Sequence, residues 1–132
     1  MSQKLFVNLP VRSLSESERF YVGLGLKKNE RFSSRDATAL QLTDSISVML
    51  LATPFFEGFL VEGDTAHLRS HGKEVLNALE LKSRAEVERW CVLAVSYGGT
   101  VYRPGVEQHG MFSAAIADPD GHVWELLPPM EG

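Results

Sequence analysis

A chain of 132 residues with 44% apolar and 23% charged side chains is long enough to bury one core, and it reads as a single domain. Its formal net charge of -4 and its dispersed lysines and arginines remove the attraction that nucleic acid or an anionic membrane surface needs, and no stretch approaches the ~20 apolar residues of a membrane span. Cys91 is the only cysteine, which excludes an intrachain disulfide and a cysteine-built zinc site and points to a reducing, cytoplasmic setting.

Leu5, Val7, Leu9 and Val11 alternate with more polar neighbours, the period of a strand, and Pro10 places that strand near an edge or at its end. Ser13 or Ser15 then caps a helix whose apolar stripe is Ser17, Phe20, Tyr21 and Leu24, with Gly23 and Gly25 as its stop. Three short strands are predicted over residues 26–32, 37–42 and 46–51, separated by polar turns. Residues 53–72 break this rhythm with Pro54, Gly58, Gly63 and Gly72 and read as a linker. Its Phe55, Phe56, Phe59 and Leu60 are too apolar to stay solvated, so they are expected to close a cavity or line a dimer interface.

The first pattern then returns. A strand over 75–81 leads to Ser83, a helix cap with Glu86 at the capping-box position, and to a stripe of Val87, Trp90, Cys91 and Ala94 that ends at Gly98-Gly99. Strands follow over 100–103, 111–117 and 122–127. The fold predicted is α+β, with a first βαβββ repeat over 1–52, a linker over 53–72 and a second repeat over 73–132. An offset of 70 carries Leu5 to Val75, Leu9 to Leu79, Ser13 to Ser83 and Phe20 to Trp90; an offset of 76 carries Val48 to Trp124 and Leu50 to Leu126. Met49 thereby takes the place of Glu125, and Phe6 that of Leu76.

Glu125 is the residue on which function turns. After the turn Asp118-Pro119-Asp120-Gly121, Val123, Glu125 and Leu127 share one strand face, so a carboxylate stands among apolar neighbours. Such a group is protonated, hydrogen-bonded or metal-bound, because burying it charged and alone costs several kcal/mol. One reading makes it a general acid or base, with its pKa raised by desolvation. The other makes it a relic of a lost site, held by Asn8 or a backbone group. Asn8, on the face of Phe6, donates to a ligand or to Glu125.

His109, before Gly110 in a loop following Pro104, is placed to reach a cavity mouth and touch ligand, whereas His122 lies opposite Glu125 and reads as a turn residue. His67 and His71 have the spacing of paired zinc histidines, but no glutamate of a protease motif stands between them, and a solvated linker explains them. Gly23 and Gly25 close a helix rather than open one, so they are no dinucleotide fingerprint. No serine lies in a nucleophile elbow, and Cys91 sits in a helical stripe without a neighbouring base.

Two βαβββ halves, the stretch Phe20-Tyr21-Val22-Gly23-Leu24-Gly25-Leu26, and the close Asp118-Pro119-Asp120-Gly121-His122-Val123-Trp124-Glu125-Leu126 together resemble the vicinal oxygen chelate superfamily. That group contains glyoxalase I, extradiol dioxygenases and bleomycin resistance proteins, and the run from Lys4 to Val11 resembles a branch labelled predicted lactoylglutathione lyases. The resemblance implies curved mixed sheets around a cavity, enclosed in one chain or across a homodimer. In metal-dependent members it implies ligands on the first and last strand of each half, here Phe6, Met49 (or Leu50, with the register shifted by one), Leu76 and Glu125. Only Glu125 suits a hard divalent ion, so no cofactor is expected and a divalent metal is disfavoured. The expected ligand is a small, largely apolar molecule in contact with Phe6, Asn8, Met49, Leu76, Met111 and His109. The alternatives are a glyoxalase-like lyase or isomerase with Glu125 as catalytic residue, a metal being recruited through other ligands, and a ligand-less structural dimer.

Overall fold

In the computed structural model, which describes residues 3–68 and 72–129, the chain forms two four-stranded mixed sheets with few helices, an α+β fold without a closed barrel. The first half holds β1 (Leu5–Val11), α1 (Leu14–Leu24), β2 (Lys27–Lys28), β3 (Ala37–Gln41) and β4 (Ile46–Ala52). A short α2 (Thr53–Glu57) follows, then β5 (Asn77–Glu80), α3 (Arg84–Ser96), β6 (Thr100–Gln108), β7 (Met111–Ala117) and β8 (Val123–Leu127). The strand orders are β1-β4-β3-β2 and β5-β8-β7-β6. In each sheet the first strand runs parallel to the last, and the other pairs are antiparallel.

The two offsets seen in the sequence recur as pairings. Leu9 faces Leu50 and Leu79 faces Leu126; Asn8 faces Met49 and Ala78 faces Glu125; Leu40 faces Val48 and Ile116 faces Trp124. Ser13 caps α1 by accepting the Glu16 N–H, and Ser83 caps α3 by accepting the Glu86 N–H. Gly25 closes α1 at φ 113°, in the left-handed region that suits glycine.

Three elements differ from expectation. Over 26–32 only Lys27 and Lys28 pair as strand, because Asn29 caps a 3-10 turn over Glu30–Phe32 by accepting the Arg31 N–H. The linker begins as α2, with Pro54 in its first turn, where a missing N–H costs nothing. The strand expected over 100–103 continues through Pro104 and Gly105 to Gln108, since β6 is an edge strand and tolerates proline.

Helices α1 and α3 lie between the sheets, whereas α2 packs on β1 and β4. α1 packs on β3 and β4 of its own sheet, while Phe20 presses on the second sheet so closely that a Cβ at Gly99 would meet both its ring and the Ala117 carbonyl. Phe20, Tyr21, Leu40, Val48, Leu50, Val87, Ala94, Ile116 and Leu126 are almost fully buried in one shared cluster. One face of each sheet is spent on that core, and the opposite faces point outward.

A buried polar network locks the halves. Tyr21 Oη donates to Asp118 Oδ2 at 2.7 Å and accepts Trp124 Nε1–H at 3.0 Å, while Asp118 Oδ1 accepts the Asp120 and His122 N–H groups. Asp120 accepts the Arg12 N–H and Nε–H and the Ser17 hydroxyl. The His122 ring donates to the Pro10 carbonyl at 2.7 Å, the structural turn role expected of it. Burial pushes the Asp118 carboxyl up and the Tyr21 phenol well above 10, where it stays a donor. Tyr21→Phe leaves Asp118 and the Trp124 N–H each short of a partner, and urea denaturation is expected to show a loss of about 2–4 kcal/mol. A loss below about 0.5 kcal/mol would mean that the network contributes no more than a surface contact.

Candidate functional site

Strand pairing defines what shares the outward face of the first sheet. Phe6, Ser47 and Gln41 lie side by side, as do Asn8, Met49 and Ala39. Leu50 is fully buried on the helix side, so the position equivalent to Glu125 is Met49 and the one-residue ambiguity is closed. Phe6 is 53% exposed there. With Phe32, Ala39, Ser47 and Met49 it lines a cavity of about 360 Å³, edged by Lys4, Asn29, Gln41 and Asp44.

On the second sheet, Ala78, Glu125, Ala115 and Arg103 lie side by side, and Leu76 precedes β5 by one residue. Arg103 reaches over Ala115, which is fully buried, to Glu125. Its Nη2 donates to Glu125 Oε1 and Oε2 at 3.0 and 3.1 Å and to Ser113 Oγ at 3.1 Å, and Nη1 donates to the Ser113 carbonyl at 3.3 Å. The side chains of Arg103 and Glu125 are 32% and 23% exposed. Glu125 is therefore held by a guanidinium, not by Asn8 or a backbone group.

Arg103 is the residue that the sequence reading missed. Strict alternation from Thr100, which faces Ala117, puts Tyr102 opposite Ala115 and turns Arg103 to the other face. A register shift between Val101 and Arg103 adds one residue to β6, and Arg103 comes round beside Ala115. The Pro104-Gly105 pair, so close to the strand's apparent end, was the available signal of an irregular edge.

The other predicted residues do not gather at one point. Phe6 and Met49 line the cavity of the first sheet, Asn8 lines another together with Val75, Asn77 and Val123 of the second half, and Leu76 and Glu125 belong to the second sheet's side. His109 and Gly110 are the two residues of the β6–β7 hairpin turn, both with positive φ (54° and 76°), and His109 is exposed. Met111 begins β7, four residues from Ala115 and so roughly 13 Å away along the strand.

Asn8, Phe56, His67, Lys73, Asn77 and His122 line a separate cavity of about 300 Å³ where α2 meets β1 and β5. Phe56 thus covers this junction, while Phe55 and Phe59 stack edge to face at 5.3 Å and Phe59 is 72% exposed. His71 lies outside the described residues. Burial pushes the Cys91 thiol up, away from a nucleophile's range.

A divalent ion does not fit the four superfamily positions. Phe6 and Leu76 offer no donor atom and Met49 only a thioether, while the carboxylate of Glu125 is engaged by Arg103. Among the described residues no other group of three or more His, Cys, Asp or Glu side chains has a ligating arrangement. A double-mutant cycle with Arg103→Gln and Glu125→Gln is expected to give a coupling of about 1 kcal/mol that shrinks in 1 M salt, as for a half-exposed pair. A coupling indistinguishable from zero at low salt would show that the pair does not order this face.

No family model and no characterised protein sequence matches the chain. Solved structures do. A hypothetical protein from S. aureus is 26% identical with a TM-score of 0.80, the alignment covering 98% of this chain and 95% of that one. A glyoxalase/bleomycin resistance protein/dioxygenase family enzyme from Burkholderia phytofirmans is 17% identical with a TM-score of 0.79, covering 98% and 100%. A bleomycin-binding protein in complex with bleomycin is 21% identical with a TM-score of 0.66, covering 98% and 100%. With its two sheets in this order, the chain has the glyoxalase/bleomycin resistance/dioxygenase fold.

Proposed function

We propose that this protein binds a small, largely apolar molecule without the help of a metal. The observation that carries the reading is the chemistry at the four superfamily positions: a phenyl ring, a thioether and an isobutyl group, with one carboxylate already paired to a guanidinium. Phe6, Phe32 and Met49 line an outward-facing hollow of ligand size, and apolar side chains exposed together mark a binding surface. The bleomycin-binding protein, of the same fold, is a precedent for binding a small molecule.

Met49 and Glu125 lie on separate sheets, and in our reading the first-sheet face of one copy meets the second-sheet face of another around the ligand. A homodimer is therefore part of the proposal. The enzymatic alternative requires Glu125 to exchange a proton with substrate while Arg103 holds both its oxygens. Glu125→Gln abolishes turnover under that alternative and alters only affinity under ours.

The test uses chelator-treated protein and the neutral fluorophore N-phenyl-1-naphthylamine. Saturable binding near about micromolar Kd (roughly -8 kcal/mol) is expected, unchanged by added nickel, zinc or manganese. Met49→Asp is expected to weaken it more than about tenfold by placing a carboxylate in the apolar hollow. Sedimentation should return the mass of two chains. Binding that appears only with a divalent ion, or a monomer that binds as well as the dimer, would overturn the reading.

A further inference from the structure

We propose that Arg103 is a ligand anchor, and that the molecule bound at the Glu125 face is an apolar acid whose carboxylate the guanidinium holds. This rests on the reading that the face binds a small molecule, and it adds the charge of that molecule.

The argument begins with hydrogen-bonding capacity. A guanidinium carries five N–H donors in a rigid plane. Arg103 uses Nη2 on Glu125 and Ser113 and one donor of Nη1 on the Ser113 carbonyl; Nε–H and the second Nη1–H have no acceptor among the described residues. Two of its five donors are left for another acceptor.

The position of Arg103 gives those two donors a purpose. The bulge in β6 turns Arg103 onto the outward face, where it covers Ala115, while the exposed Ala78 on the other side of Glu125 leaves space beside the pair. An arginine that served only to neutralise Glu125 would gain nothing from 32% exposure at the centre of a face flanked by Leu76 and Val123. Glu125 and Ser113 fix the rotamer, so the entropy of ordering a long side chain is spent before ligand arrives. Charge-assisted bonds from such a fixed guanidinium suit a carboxylate, and they are roughly twice as strong as bonds between neutral groups. Glu80 is the other acidic side chain on this face of β5, and it stands beside Leu127 rather than beside Glu125.

The test compares a matched pair, 4-phenylbutyrate and 4-phenylbutanamide, displacing N-phenyl-1-naphthylamine from chelator-treated protein at neutral pH. Wild-type protein is expected to prefer the acid by at least about tenfold, a charge-assisted bond's worth. Arg103→Gln should bring the preference below about twofold with the amide's affinity unchanged, and Glu125→Gln, which keeps the guanidinium, should retain it. If Arg103→Gln fails to fold because it strands Glu125, the double variant Arg103→Gln/Glu125→Gln removes both charges together and is expected to show the same loss. Equal affinity for acid and amide while the fluorophore still binds would overturn the anchor and leave the apolar reading standing. Acid preference that survives in Arg103→Gln would overturn it as well. Failure of the fluorophore, acid and amide alike to bind would overturn both.

Discussion

Everything on the outside of this molecule follows from the turn between β7 and β8. Asp118 and Asp120 are nearly fully buried, and each accepts hydrogen bonds from the opposite half of the chain: Tyr21 on the first, Arg12 and Ser17 on the second. Two carboxylates in a core are tolerable only when their lone pairs are met by well-placed donors, and here no buried side-chain polar atom among the described residues lacks a partner. The bonds have long sequence separation, so they report and enforce one relative placement of the halves. With Phe20 against Gly99 and Tyr21 against Trp124, that placement puts the helices inside.

Placing the helices inside decides where chemistry can happen. A βαβββ half has one face for its helix and one to spare, and in this chain both spare faces look outward. Each then carries its own character. The first is apolar around Phe6, Phe32 and Met49 with Lys4, Asn29, Gln41 and Asp44 at its edge, while the second is floored by alanines and crossed by the Arg103–Glu125 pair. Neither alone is an enclosed site of the kind that buries most of a ligand. Their complementarity, an apolar hollow against an ionic pair on a small-residue floor, is what a ligand with one polar end would need.

The fold was legible because it depends on patterns that local sequence carries. The strand period, the caps Ser13 and Ser83 and the shared offsets of Leu9–Leu50 and Leu79–Leu126 are properties of segments, and the structure reproduces them as pairings. The site was legible only in part. Glu125 announced itself as a carboxylate on an apolar strand face, yet its partner comes from an edge strand whose bulge reverses the alternation on which the reading relied. His109 looked like a ligand residue because histidine in a loop has chemistry to offer. It takes a positive φ in the two-residue hairpin turn, a backbone feature that strand alternation does not reveal.

A divalent ion and a guanidinium equip a protein face for different chemistry. A divalent ion concentrates charge at a point, accepts two ligand oxygens and polarises a carbonyl strongly enough to acidify a neighbouring carbon or activate a bound oxygen donor. Arginine spreads one charge over a plane, stays protonated throughout the physiological range and gives direction rather than polarising power. Held by Glu125, it is partly neutralised before any ligand arrives, which weakens it further as an electrophile while sharpening its geometry. Phe6, Met49 and Leu76 offer no donor to a hard metal ion, and the bulge in β6 brings the Arg103 guanidinium onto the face of Glu125. Under the proposed function, both features suit holding a molecule rather than turning it over.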